Sequence, residues 1–406
     1  MSTYVDKRPV ELPLRERLGA RLTHGNVLAG IVRAAIGLRL LSALYQGNAV
    51  AALPGIYDQI SYDGLARRVI AGYGFSFGEP HWPATRAGEP TAHWSYLYTL
   101  YLSAVYMVAD ARPVAARVLQ AVLAGALHTW LAWRIGKRVF GPAAGITAAG
   151  LTAIYVYFVY YAGALITESF YIVGVLWVLD CALRLRRALA LPVPAAARRL
   201  WLELGLALGV TVLLRQVFLL FIPFLYAWLW WAVLRRQPHG RESSTVQSGL
   251  LLRGSILSAA VVLLLILPWT VRNQRAFGAF VPLNTNSGFA FFWGNHPVYG
   301  TKFVGILPGD NPYYDLIPPE LLPLNEAELD RALLQRGMQF VFDDPVRYAL
   351  LSVSRAREYF KFWPSRESGT FSNISRVGSF GLVLPFMLYG LWLAAGLAWR
   401  SKDPYQ

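Results

Sequence analysis

Apolar stretches at about 27–48, 115–135, 142–162, 168–184, 254–271 and 378–399 each approach the ~20 residues a helix needs to cross a bilayer. Lipid offers no hydrogen-bond partner to a backbone N–H or C=O, so stretches of this length read as helices that satisfy their own backbone. The stretch from Leu200 to Leu234 is different, because at ~1.5 Å per residue it overshoots the ~30 Å hydrocarbon core. Arg215 lies inside it and reads as the break between two spans; one tilted helix kinked at Pro223 is the competing reading. Composition agrees: 55% of the 406 residues are hydrophobic and 15% charged, against roughly 25% charged in soluble domains. The expected fold is all-α and polytopic, with about eight transmembrane helices, juxtamembrane helices and outer-side loops.

Charge orients the chain. With a break at Arg215, the clusters Arg134/Lys137/Arg138, Arg184/Arg186/Arg187/Arg198/Arg199, Arg235/Arg236/Arg241 and Arg400/Lys402 all fall on the side of the N-terminus; without it they scatter. Short basic loops beside apolar runs are topology signals, so the net charge of +15 is not read as a nucleic-acid footprint. Residues 1–26 carry Lys7, Arg8, Arg15, Arg17 and Arg21 with no small-residue cleavage site after them, and read as a retained cytoplasmic end. The expected location is the plasma (inner) membrane, multi-pass. Residues 27–271 form the membrane core, 272–377 an outer segment, and 378–406 a last span with a cytoplasmic tail. Cys181, the single cysteine, lies in an apolar run and reads as an inert core thiol.

The outer side then holds a first loop of residues 49–114, a short connection near Glu168, and the segment 272–377. In the first loop, Tyr62 to Gly72 reads as a surface helix with Leu65, Val69 and Ile70 opposite Arg67 and Arg68. Trp94 to Val108 is apolar but short and rich in tyrosine, and reads as a second juxtamembrane helix. Further on, NTNSGFAFFWGNHPVYG favours an ordered loop over a helix, and Leu307 to Pro323 a proline-rich connector. Asn325 with Glu328 makes a capping box and Asp344–Pro345 a helix start, which predicts helices over 326–342 and 345–362, the second lying along the outer leaflet.

Charges at the mouths of apolar spans are costly to desolvate, so each calls for a partner or a water-filled cavity. Asp58 is pinned between the first span and a surface helix, where half-burial raises a carboxyl pKa toward the range of a general base; capping that helix is the alternative. Glu168 begins the fourth span, either as a dipole-favoured helix start or as a partner of Asp58 in an acidic site. Arg215 either meets an anion or snorkels to the interface. Arg272, with Asn273 beside it, ends a span with the fork that suits a phosphate. His93 is a lone interfacial histidine with no zinc partners in sequence. Asp58 with Glu168 could hold a divalent cation, though two carboxylates identify none. Arg33 and Arg39, inside the first span, are expected to face the protein interior.

The order of these features resembles the GT-C superfamily of membrane glycosyltransferases, specifically the bacterial relatives of protein O-mannosyltransferases and of the lipid A aminoarabinose transferase. The matching pieces are YDQISYDGLA with GYGFS after it, Arg117 followed by WRIGKRVFG, ALITES, LLRQ, and PWTVRNQRAFG leading into NTNSGF and WGN. The first loop departs from the pattern, ending in TAHWSYLYTL in place of a proline-rich run. The resemblance implies an inverting transfer of a sugar from a polyprenyl-phosphate donor to an acceptor hydroxyl at the outer face. It makes Asp58 the candidate base and Glu168 the second acidic residue, with Arg215, Arg272, Asn273, Tyr62, His93 and Asn286 as candidate substrate ligands. The implied partners are the lipid-linked donor, membrane lipid, and a glycan, lipid or protein acceptor. A transporter or flippase of a lipid-linked substrate, or a non-catalytic scaffold, are the rival readings.

Overall fold

The computed structural model describes residues 24–53, 56–189, 194–235, 241–305, 307, 313–364 and 368–401. The expected cytoplasmic end falls largely outside them, as do Arg236 and Lys402. Among the described residues all regular structure is helical, with isolated bridges in place of strands. The membrane bundle contains α1 (His24–Gln46), α4 (Pro113–Phe140), α5 (Pro142–Ile154), α6 (Val156–Ala162), α7 (Glu168–Leu189), α8 (Pro194–Leu214), α9 (Ile222–Leu234) and α10 (Arg241–Phe277). Between α1 and α4 lie α2 (Asp58–Ile70) and α3 (Tyr96–Val108). After α10 come α11 (Ser287–Asn295), α12 (Glu326–Asp343), α13 (Pro345–Tyr359), α14 (Thr370–Arg376) and α15 (Leu382–Ser401).

Side-chain contacts give the direction of each helix. Arg117 and Gly125 of α4 meet Gly47 and Ile36, so α4 runs against α1. His128 and Arg138 of α4 meet Ser169 and Asp180, so α7 runs with α4. Gly174 and Cys181 of α7 meet Thr211 and Glu203, so α8 runs against α7. Trp201 and Gly205 of α8 meet Gly254 and Ser258, so α10 runs with α8, while Tyr226 and Trp230 of α9 bond Ser258 and Ser255 in the reverse order. The long apolar run therefore folds back on itself at Arg215, where α8 ends and the backbone turns extended, φ −146° and ψ 108°. A charged side chain inside lipid would be costly, and the turn carries it to the bundle end.

Among the described residues, five helices are long and apolar enough to cross a membrane, six if α5 and α6 count as one span bent by 53°. Asp180, Arg184, Arg198, Arg199 and Glu203 place charges along α7 and α8, although both pack in the same bundle. The bend after α5 frees carbonyls that a straight helix would satisfy. Arg39, fully buried in α1, donates to Thr152 O at 3.0 Å and Ala153 O at 3.2 Å, which is what allows a guanidinium at this depth. Arg33 departs from expectation: it is exposed and bonds back to Ala29 O.

The end of the bundle away from the basic clusters carries α2, α3 and the α11–α12 unit. The capping box forms as expected, with Asn325 accepting from Ala327 N and Glu328 N and Glu328 accepting from Asn325 N. The predicted loop after Asn286 is instead the helix α11, because Phe289, Phe292 and Trp293 bury against Leu329 and Leu333 of α12. A Cβ at Gly288 would fall 1.7 Å from Asp330 O, so only glycine permits this approach.

Candidate active site

The site lies where α1, α7 and α8 meet α2 and the loops before α3 and α11. Its scaffold is Arg117, fully buried in α4, whose guanidinium donates to Gly47 O at 2.6 Å, Ala49 O at 2.8 Å and Gln59 Oε1 at 3.2 Å. Gln59 Oε1 also accepts from Leu165 N. One arginine thus fixes the exit of α1, the start of α2 and the connection before α7. Asp58, next to Gln59, is the first residue of α2, four residues earlier than the helix expected from sequence.

A cleft of about 270 Å³ opens there, lined by Asp58, Tyr62, Trp82, His93, Arg215 and Asn286 among others. Glu168 stands at its edge and forms an ion pair with Arg215, whose Nε also donates to Thr167 Oγ1 at 3.0 Å. Solvent reaches Asp58 through the cleft, and its carboxylate makes no hydrogen bond or ion pair among the described residues. The protein that surrounds it raises its pKa above the ordinary carboxylate value. The Glu168 carboxylate adds to that rise and Arg215 opposes it. Tyr62 is buried, its hydroxyl accepting from Ser95 N at 3.4 Å, its ring edge-on to Trp94 and Tyr98. Burial holds His93 neutral, its pKa lowered to about 3.

Two expected ligands, Arg272 and Asn273, stand outside the cleft. Arg272 donates to Thr91 O at 2.9 Å, Tyr96 Oη at 3.2 Å and Phe75 O at 3.3 Å. Asn273 is fully buried and donates to Val281 O and Leu283 O. They tie the loop before α3 to the loop after α10. Sequence reasoning missed Gln216 and Asn284, although both lie in quoted motifs. Gln216 accepts from Asn284 N at 3.0 Å and donates to Asn286 Oδ1 at 2.5 Å, while Asn284 holds Ala92 O and Trp94 O. Trp82 and Trp94 were missed because a tryptophan in a loop carries no sequence signal for a cleft.

The cleft offers a divalent cation the carboxylates Asp58 and Glu168, and among the described residues no three His, Cys, Asp or Glu side chains come together. Magnesium or calcium needs about six or more oxygens. With Glu168 paired to Arg215, a cation held by these carboxylates would draw the rest of its shell from water or a donor phosphate.

No protein-family model matches the chain, and no curated protein does. Solved structures do match. The Archaeoglobus fulgidus oligosaccharyltransferase AglB, in complex with an inhibitory peptide and a dolichol-phosphate, aligns at 15% identity and a TM-score of 0.56 over 94% of this chain and 45% of its own. The complex of the A. fulgidus oligosaccharyltransferase with Zn and sulfate aligns at 17% identity and a TM-score of 0.55 over 93% of this chain and 43% of its own. This chain spans just under half the length of those proteins. Identity at this level is a likeness of fold, and this chain shares the fold of the aligned part of that archaeal oligosaccharyltransferase.

Proposed function

We propose that this chain is a glycosyltransferase that moves a hexosyl or pentosyl group, with inversion, from a polyprenyl-phosphate donor to an acceptor hydroxyl at the outer face of the plasma (inner) membrane. The observation that carries this reading is the unpartnered Asp58 carboxylate in a cleft that also presents Arg215. That cleft lies at the bundle end opposite Arg134, Arg138, Arg184 and Arg187, and the positive-inside rule makes the opposite end the outer one. Packing of α7 and α8 within the bundle supports counting them as spans, which with α15 gives the expected eight.

In the reaction, the acceptor oxygen bonds to the anomeric carbon on the face opposite the phosphate, and the bond from that carbon to the phosphate oxygen breaks. Opposite faces of attack and departure invert the configuration. The hydroxyl proton passes to Asp58, whose raised pKa suits it to take a proton from a neutral alcohol as the new bond forms. The bonding pair leaves with the polyprenyl phosphate, whose charge Arg215 meets. For the donor chain, an almost wholly apolar groove of about 610 Å³ runs down between α3, α4, α7 and α8, past Tyr98, Leu127, Phe170 and Trp177. It shares Leu214 with the cleft, so a phosphate at Arg215 and a chain in the groove are adjacent. A complex of the archaeal relative with a dolichol-phosphate and a peptide supports a lipid-linked donor. The acceptor class stays open among glycan, lipid and protein.

The test is transfer from a panel of labelled polyprenyl-phosphate sugars by the purified protein. Release of polyprenyl phosphate with a glycosylated product, abolished by Asp58→Asn, is the expected result. Donor binding without transfer to any acceptor, and vectorial movement of the donor in proteoliposomes, would make the protein a flippase instead.

A further inference from the structure

Within the glycosyltransferase reading, on which this inference rests, we infer that Trp82 is the platform against which the transferred sugar ring lies. Trp82 lines the same cleft as Asp58 and Arg215 and remains 39% exposed there. Its setting is not that of a loose surface residue. Trp293 stacks on it with centroids 5.3 Å apart and planes at 27°, and His93 meets it edge to face at 5.4 Å and 87°. These rings fix the plane of the indole at the cleft wall.

The loop that carries it is fastened on both sides. His81 shares a 2.8 Å hydrogen bond with Ser61 of α2 and stacks on Phe77 at 3.7 Å, while Thr85 donates to Glu326 at 2.9 Å. The indole is therefore preorganised, and a ligand that lies on it need not first immobilise it. Beside it the cleft presents the polar groups of Arg215, Gln216, Asn284 and Asn286, with Trp94, Leu214 and Val217 as its apolar wall. A sugar ring has this same division: hydroxyls around its rim, and C–H bonds with a slight positive charge on its faces, which suit the negative face of an aromatic ring. A prenyl chain would have no use for the amides, and its apolar groove lies elsewhere, along α4 and α7.

The experiment measures binding of farnesyl-phosphate hexoses and pentoses, and of farnesyl phosphate without sugar, to full-length protein in detergent. The wild type should bind at least one glycosylated probe more tightly than the bare phosphate. Trp82→Ala should lose on the order of tenfold or more for that probe and keep its affinity for farnesyl phosphate, which also reports that the variant is folded; Trp82→Phe should recover part of the loss. Equal loss for both probes in Trp82→Ala and Trp82→Phe would make Trp82 a structural residue and overturn the inference. So would unchanged binding of the glycosylated probe. A wild type that binds no glycosylated probe at all overturns the glycosyltransferase reading and this inference with it.

Discussion

Asp58 and Asp63 leave the same helix about 140° apart, five residues at ~100° each, and that angle separates their roles. Asp63 accepts from Tyr106 Oη at 2.5 Å and pairs with Arg67 at 2.8 Å, locking α2 onto α3, while Asp58 faces the cleft unpartnered. Asp58→Asn keeps shape and deletes basicity, so transfer should fall by about 10²-fold or more while donor binding persists. Asp63→Asn should leave most turnover in the protein that folds and lower its thermal stability. Matched transfer assays on both variants check this, and the reverse pattern would move the base to Asp63.

The pH dependence follows from the environment of Asp58. Only its ionised form takes a proton, and its pKa is raised, so transfer should climb with pH through that raised value and level off above it. Glu168→Gln removes a like charge and leaves Arg215 unopposed, both of which favour ionised Asp58; the acidic limb should move to lower pH. The linkage to stability has the opposite sense. Folded Asp58 holds its proton where the unfolded chain, at about 3.9, has released it, so this residue makes folding less favourable as pH rises through that window. A pH–rate profile of the two proteins reads the first effect directly.

Arg215 and Arg272 should separate by assay. Arg215→Ala removes a charge-assisted contact worth roughly 1.5–3 kcal/mol, which should weaken donor binding or turnover by about tenfold or more. Arg215→Lys should restore only part, since the fork is lost. Arg272→Ala should instead reduce folding yield and stability with donor affinity intact, because its partners are Thr91 O, Tyr96 Oη and Phe75 O. Donor titration of purified variants distinguishes them.

Glu326 is buried and accepts from Ala92 N at 2.7 Å, Thr85 Oγ1 at 2.9 Å and Thr285 Oγ1 at 2.5 Å. It thereby holds the loop bearing His93 and the loop bearing Asn286 to α12. Glu326→Leu should leave those donors unsatisfied, at about 1–3 kcal/mol each, and raise KM more than it lowers kcat. Thermal denaturation with steady-state kinetics measures both.

Chelation is the fifth lever. With Glu168 held by Arg215, added EDTA should leave transfer unchanged, and added Mn²⁺ should gain affinity only in Arg215→Ala, where Glu168 is released. Metal titration of the wild type and the variant checks it.

Several features were legible in the sequence because they depend on local physics. Apolar length required helices, basic clusters gave them a common end, and the cost of a charge in lipid put the fold-back at Arg215. The Asn325–Glu328 spacing wrote its own cap. The candidate site was legible only in part. Asp58, Glu168 and Arg215 stood out because charges at span ends need a reason, but the same logic singled out Arg272, which is a guanidinium of the same kind at an equivalent boundary. What separates them is which partners the loops bring: two backbone carbonyls, the Tyr96 hydroxyl and Asn273 Oδ1 engage Arg272, whereas Arg215 meets Glu168 and Thr167 and faces an open cleft. Hydropathy could not show that α11 is a helix, since its drive is burial against α12, more than thirty residues away. Nor could it give Trp82, Gln216 and Asn284 their places, because each is positioned by contacts between segments distant in the chain. The sequence by itself determined the long apolar helices and the shared end of their basic clusters, through interactions of residues with lipid and with near neighbours. The tertiary structure alone decided which polar groups at the end of the bundle opposite the basic clusters are spent on holding loops and which remain free to meet a ligand.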